Sequence, residues 1–145
     1  MNPAVLFMRI FAKPKSMMMS EMLFSETVNS PMVRLDDERG SIDIQGKSTL
    51  PDPVEFYSSL LSQIIKIPRQ KLHTLNIRLS YINTGSSKWM LHLFRQLEKI
   101  AEPLSAIQIN WFYEEDDETM AMAGEDYRSM LKLPFNLISE RVSDN

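Results

Sequence analysis

Residues 72–101 constrain this chain more than any other stretch. An alternating run places Leu75, Ile77, Leu79 and Tyr81 on one side and Asn76, Arg78 and Ser80 on the other. It passes through Asn83-Thr84-Gly85-Ser86-Ser87 into a segment with helical spacing. Period two giving way to period 3.6 predicts a strand, a short turn and a helix from about Ser86 to Ala101. Met90, Leu93, Phe94, Leu97, Ile100 and Ala101 make the apolar stripe of that helix, with Lys88, His92, Arg95 and Lys99 outside. A strand feeding a helix in this way points to a layered α/β fold.

The flanking sequence repeats the theme. Met32–Leu35 and Ser41–Ile44 alternate around Asp36-Asp37-Glu38-Arg39-Gly40, as in a β-hairpin, and Gly46 is expected to end the second strand. Asp52-Pro53-Val54-Glu55 opens a helix: Asp52 can cap it, Pro53 suits the first helical position and Glu55 can reach back. Val54, Tyr57, Leu61, Ile64 and Ile65 recur at helical spacing before Pro68 stops the run. Ala106–Tyr113 reads as an interior strand, and the acidic run Glu114–Glu118 caps a third helix with Met120, Ala123, Tyr127, Met130 and Leu131 on one face. Pro134 ends that helix and Phe135–Ile138 forms a last strand. The predicted order is β-β-α-β-α-β-α-β: a single compact α/β domain, with a mixed central sheet of about five strands and three main helices joined by right-handed crossovers. This domain is expected over residues 22–140, between a flexible or mis-started extension at 1–21 and a polar tail at 141–145.

Composition narrows the chemistry. A net charge of −3 argues against nucleic acid or an anionic membrane as the main partner. No apolar run approaches the roughly 20 residues of a membrane span. The absence of cysteine removes thiolate chemistry and Cys-based metal sites, and fits a reducing cytoplasm. His73 and His92 lack partners at ligand spacing, and Trp111-Phe112-Tyr113 suits sheet packing better than a ligand box. No phosphate loop or nucleophile elbow is present, so neither cofactor nor metal is expected. The five acids of Glu114–Glu118 cannot converge on one ion from a helix start. A small hydrolase using Asp116 or Asp117 is therefore a weaker reading than a non-enzymatic protein.

The Asn83-Thr84-Gly85-Ser86-Ser87 turn has two readings. A threonine or serine hydroxyl can cap the helix, with Gly85 relaxing the bend. Alternatively, a hydroxyl there accepts a phosphate, whose charge is favoured at the positive end of a helix.

The chain also resembles the SiaC family of bacterial regulatory phosphoproteins over about Ser30 to Glu140. The resemblance rests on Gly46 with Ser48, Pro51-Asp52 before Phe56-Tyr57, Leu79-Ser80-Tyr81-Ile82-Asn83-Thr84-Gly85-Ser86-Ser87-Lys88, Ile109-Asn110-Trp111-Phe112-Tyr113, Asp116-Asp117-Glu118, and Gly124-Glu125-Asp126 with Leu133-Pro134-Phe135. It implies a fold similar to anti-sigma-factor antagonists (STAS domains) and a phosphoacceptor at Thr84. It further implies an anti-sigma-type serine/threonine kinase, a metal-dependent phosphatase, and an output protein that the unphosphorylated form activates. In the family that output is a diguanylate cyclase, in biofilm and cyclic di-GMP regulation; an anti-anti-sigma factor is the alternative. Tyr81, Asn83, Gly85, Ser86, Ser87 and Lys88 surround Thr84 and are the expected partner-binding residues. Two positions depart from the family pattern: Gly85 replaces a serine, and Leu50-Pro51-Asp52 replaces an aromatic followed by Pro-Glu.

Overall fold

The computed structural model describes residues 21–141. Apart from Glu21, the extension expected over 1–21 lies outside the described residues, as does the tail beyond Arg141. The elements are β1 (Glu21–Phe24), β2 (Met32–Asp36), β3 (Ser41–Ser48), α1 (Val54–Ile65), β4 (Thr74–Ile82), α2 (Thr84–Ile100), β5 (Gln108–Glu114), α3 (Glu118–Met130) and β6 (Phe135–Glu140). Short 3₁₀ turns at Arg69–Lys71 and Leu104–Ala106 complete the described chain. The single α/β domain with three helices is as expected, but its sheet has six strands, in the order β1-β2-β3-β4-β5-β6. The added strand is β1, antiparallel to β2 and broken by a bulge between Met22 and Phe24.

β2 and β3 form the expected antiparallel hairpin, whereas β3, β4, β5 and β6 run parallel. Each parallel step moves one strand outward in the same direction. Right-handed crossovers then put all three helices on one face of the sheet. Burial agrees: Ile42, Ile44, Leu75, Ile77, Leu79, Ile109 and Trp111 are buried toward the helices. The opposite face is polar. Across it Asn76 Nδ2 donates to Asp43 Oδ1, Asn110 Nδ2 to Asn76 Oδ1 and Asn136 Nδ2 to Asn110 Oδ1, each at 2.9 Å. Beside this amide ladder the Arg78 guanidinium lies 3.7 Å from the Phe112 ring centroid and pairs with Glu140 at 3.1 Å.

Gly46 does not end β3. It sits inside the strand with φ +127, where the register against β4 shifts between Gly46 and Lys47. Only glycine enters that backbone region readily, and an added Cβ would fall 2.5 Å from Glu26 Oε1. The bulge lets β3 continue to Ser48, opposite Ile82 at the end of β4. That placement matters for the turn that follows β4.

Two helix stripes are rotated from expectation. α1 buries Tyr57, Leu60 and Ile64 and leaves Val54 and Ile65 exposed. α3 buries Met120, Gly124 and Tyr127 and leaves Met130 exposed. Gly124 is the point of closest approach between α3 and the sheet: a Cβ there would lie 2.5 Å from both Leu137 Cδ2 and Trp111 Cδ1. Trp111 is fully buried and donates its indole N–H to the Met120 carbonyl at 2.9 Å.

Candidate functional site

In a parallel sheet the carboxyl ends of the strands bring the βα turns together, and functional residues gather at that end. Here those turns follow Ser48, Ile82 and Glu114. The middle one carries Asn83 and Thr84.

The cap is Asn83. Its backbone is extended (φ −82, ψ 170) and its Oδ1 accepts the Ser86 N–H at 2.9 Å. The same side chain donates through Nδ2 to the Leu50 carbonyl at 3.0 Å, and its backbone N–H bonds the Ser48 carbonyl at 2.9 Å. One residue thus ties the end of β4 to α2, to the end of β3 and to the loop before α1. Capping by a threonine or serine hydroxyl is not what is found. Thr84 is the first helical residue, exposed, and its hydroxyl makes no hydrogen bond among the described residues.

The serines behind Thr84 face inward. Ser87 Oγ lies 2.8 Å from the Tyr127 hydroxyl, which also donates to the Ser87 carbonyl at 2.9 Å. With its single proton used on the carbonyl, Tyr127 accepts from Ser87 Oγ. Ser86 is completely buried. Its Oγ lies near the Tyr57 phenol but makes no hydrogen bond of good geometry. Tyr57 instead bonds Ser48 Oγ at 2.7 Å. Burial raises the pKa of Tyr57, and its bond to Ser48 with the nearby Ser86 hydroxyl only partly offsets that. Burial likewise pushes Tyr127 up to about 12; its bond to Ser87 works the other way, and the charges of Tyr57 and Asp126 add to the rise. The two phenols form a floor that joins α1 and α3 to the first turn of α2. Sequence spacing could not reveal it, because Tyr127 meets Ser87 across 40 residues.

Of the other expected partner-binding residues, Tyr81 is 55% exposed and Lys88 is also exposed, whereas Gly85 is half-buried. Gly85 has no unusual φ, and a Cβ there would meet Pro53 Cγ at an ordinary 3.5 Å. The bend therefore does not require glycine. Asp52 accepts the Val54 N–H at 3.2 Å, as expected of a cap, although Pro53 is the residue that precedes the helix.

The acidic run serves α3. Asp117 Oδ1 accepts the Met120 N–H at 3.0 Å, while Asp116 points to solvent. Among the described residues no group of three or more His, Asp or Glu side chains could hold a metal ion, and no helix is long and apolar enough to cross a membrane. His73 and His92 are both exposed.

Comparison with known proteins agrees with this architecture. Residues 24–140 match the model of the SiaC family regulatory phosphoproteins. Uncharacterized protein PA14_02130 of Pseudomonas aeruginosa (strain UCBPP-PA14) is 25% identical over 119 residues, covering 81% of this chain and 94% of that protein. The structure of SiaC of Pseudomonas aeruginosa superposes with a TM-score of 0.70 at 22% identity, covering 83% of this chain and 98% of that one. A similar match, with a TM-score of 0.70 at 23% identity over 81% of this chain and 98% of the other, is to the crystal structure of the diguanylate cyclase SiaD in complex with its activator SiaC. These likenesses establish the shared fold, and the match across nearly the whole described domain establishes the family. The chain belongs to the SiaC family of regulatory phosphoproteins.

Proposed function

We propose that this protein is a phosphorylation-switched adaptor with Thr84 as the acceptor. A partner kinase of the anti-sigma-factor type adds the phosphate and a metal-dependent phosphatase removes it. The unphosphorylated form binds and activates an output enzyme, a diguanylate cyclase. The observation that carries this reading is the division of labour at the turn: Asn83 caps the helix, which leaves the Thr84 hydroxyl exposed and unbonded among the described residues. A phosphate there gains from the helix N-terminus and removes no bond that holds the fold. The activator role of a relative bound to its cyclase supports the output assignment. Tyr81, Gly85 and Lys88 present surface beside Thr84, while Asn83, Ser86 and Ser87 act from beneath by fixing the turn.

The test compares cyclase binding by Thr84→Ala and Thr84→Glu. The alanine variant should bind as the wild type does, and the glutamate variant should bind about tenfold more weakly or worse. Equal affinity of the two variants would overturn the switch.

A further inference from the structure

The exposed face of α2 carries a row of basic side chains. Lys88, His92, Arg95 and Lys99 recur at i, i+4, i+7 and i+11, so they lie in one row, and all four are exposed. None of the four has an ion-pair partner among the described residues. The single acid of α2, Glu98, is engaged elsewhere: its Oε2 accepts the backbone N–H groups of Lys132 and Leu133. The row spans about 16 Å along the helix, on a chain whose net charge is −3.

Apolar side chains border the row on both sides. Between α1 and α2 an open groove of about 420 Å³ is lined by Leu61, Ile65 and Trp89, with Lys66, His92 and two serines completing it. On the other side a groove of about 700 Å³ is lined by Leu104 and Met130 together with Arg95, Lys99 and Lys132, and by Glu98, whose carboxylate is tied to the backbone of Lys132 and Leu133. Ile65 is 58% exposed, Met130 44% and Leu104 38%, so both borders offer apolar area that the fold leaves uncovered. A basic row between two grooves that each expose apolar side chains, with Lys66 and Lys132 adding charge at the borders, is complementary to an acidic segment with apolar flanks.

Thr84 stands at the head of the same row, four residues before Lys88. We propose that this face of α2 docks an acidic amphipathic segment of the output protein, and that a phosphate on Thr84 expels it. The proposal rests on the Thr84 reading above and adds the chemistry of the partner. The phosphate would act in two ways. It brings about two negative charges to the end of the track that the acidic segment occupies, and it pairs with Lys88, withdrawing a cation from that track. Neither effect needs a change in fold.

The experiment uses the full chain carrying Lys88→Glu, Arg95→Glu and Lys99→Glu together, surface changes whose effect on folding is read by thermal melting. The variant should melt near the wild type, yet bind the cyclase about tenfold more weakly or worse, and wild-type binding alone should weaken as salt rises. Wild-type affinity and salt dependence in the folded variant would overturn the docking surface. Should the cyclase fail to bind the wild type, the output assignment falls, and the surface is then decided by titrating poly-L-glutamate into isotopically labelled protein. Amide shifts centred on Lys88–Lys99 support it; shifts elsewhere, or none, overturn it. Concentration-dependent self-association that the triple variant abolishes would assign the face to a second copy and overturn the partner proposed here.

Discussion

Asn83 Oδ1 accepts the Ser86 N–H at 2.9 Å, while the neighbouring Thr84 hydroxyl is left to solvent. The two residues divide what a single cap residue does at many helix starts. Asn83 holds the helix start, and the Thr84 hydroxyl is left unbonded among the described residues. Asn83→Ala loses the cap and strands the Leu50 carbonyl, so it should cost about 1–2 kcal/mol. Thr84→Ala should change stability by only a few tenths of a kcal/mol, in either direction. Urea denaturation of both variants checks the pair, and a large loss in Thr84→Ala would contradict the division.

Gly85 should tolerate what its backbone allows. Because its φ is not positive and its Cβ direction meets only Pro53 at ordinary contact distance, Gly85→Ala or Gly85→Ser should be neutral or stabilising by up to about 1 kcal/mol. Destabilisation in a denaturant titration would show that the turn is tighter than described.

Gly124 should behave in the opposite way, although it too is helical. An added methyl would meet Trp111 and Leu137 at 2.5 Å, so Gly124→Ala should destabilise by about 1–3 kcal/mol despite the gain in helix propensity. Fluorescence of the buried Trp111 during unfolding gives the midpoint, which should fall.

Tyr127 makes a pH prediction. Its folded pKa of about 12 lies above the unfolded value of 10.0. Between these values the folded state holds a proton that the unfolded state has released, so stability is full below pH 10 and falls as pH rises toward 12. The loss attributable to this group is about 2–3 kcal/mol. Tyr127→Phe should be less stable at neutral pH, through loss of the Ser87 bonds, and should show a shallower alkaline decline. Denaturation midpoints from pH 8 to 12 read the slope, and identical slopes would contradict the assignment. Some decline should persist in the variant, since Tyr57 is raised as well.

Much of the architecture was legible in the sequence because each element from β2 to β6 carries its own period and its own stop. What was missed has specific causes. β1 is four residues long and bulged, too short for alternation to show. α1 reads VEFYSSLLSQII, apolar enough to support more than one stripe, and only packing selects Tyr57, Leu60 and Ile64. Gly46 reads as a terminator in sequence because a glycine in a bulge and a glycine after a strand leave the same trace. At the site, a hydroxyl at the turn could be inferred, but which residue caps could not, since Asn, Thr and Ser all serve. The phenol floor of Tyr57 and Tyr127 arises from tertiary contacts that carry no local signal. The basic row on α2 was visible residue by residue, but its uncovered apolar borders were not.

The central claim is that Thr84 is the residue modified. The most direct measurement is mass spectrometry of the chain after incubation with its kinase and ATP. The account predicts a single phosphate, located on Thr84 and absent from Thr84→Ala. A phosphate on Ser86 or Ser87, with Thr84→Ala still modified, would contradict it.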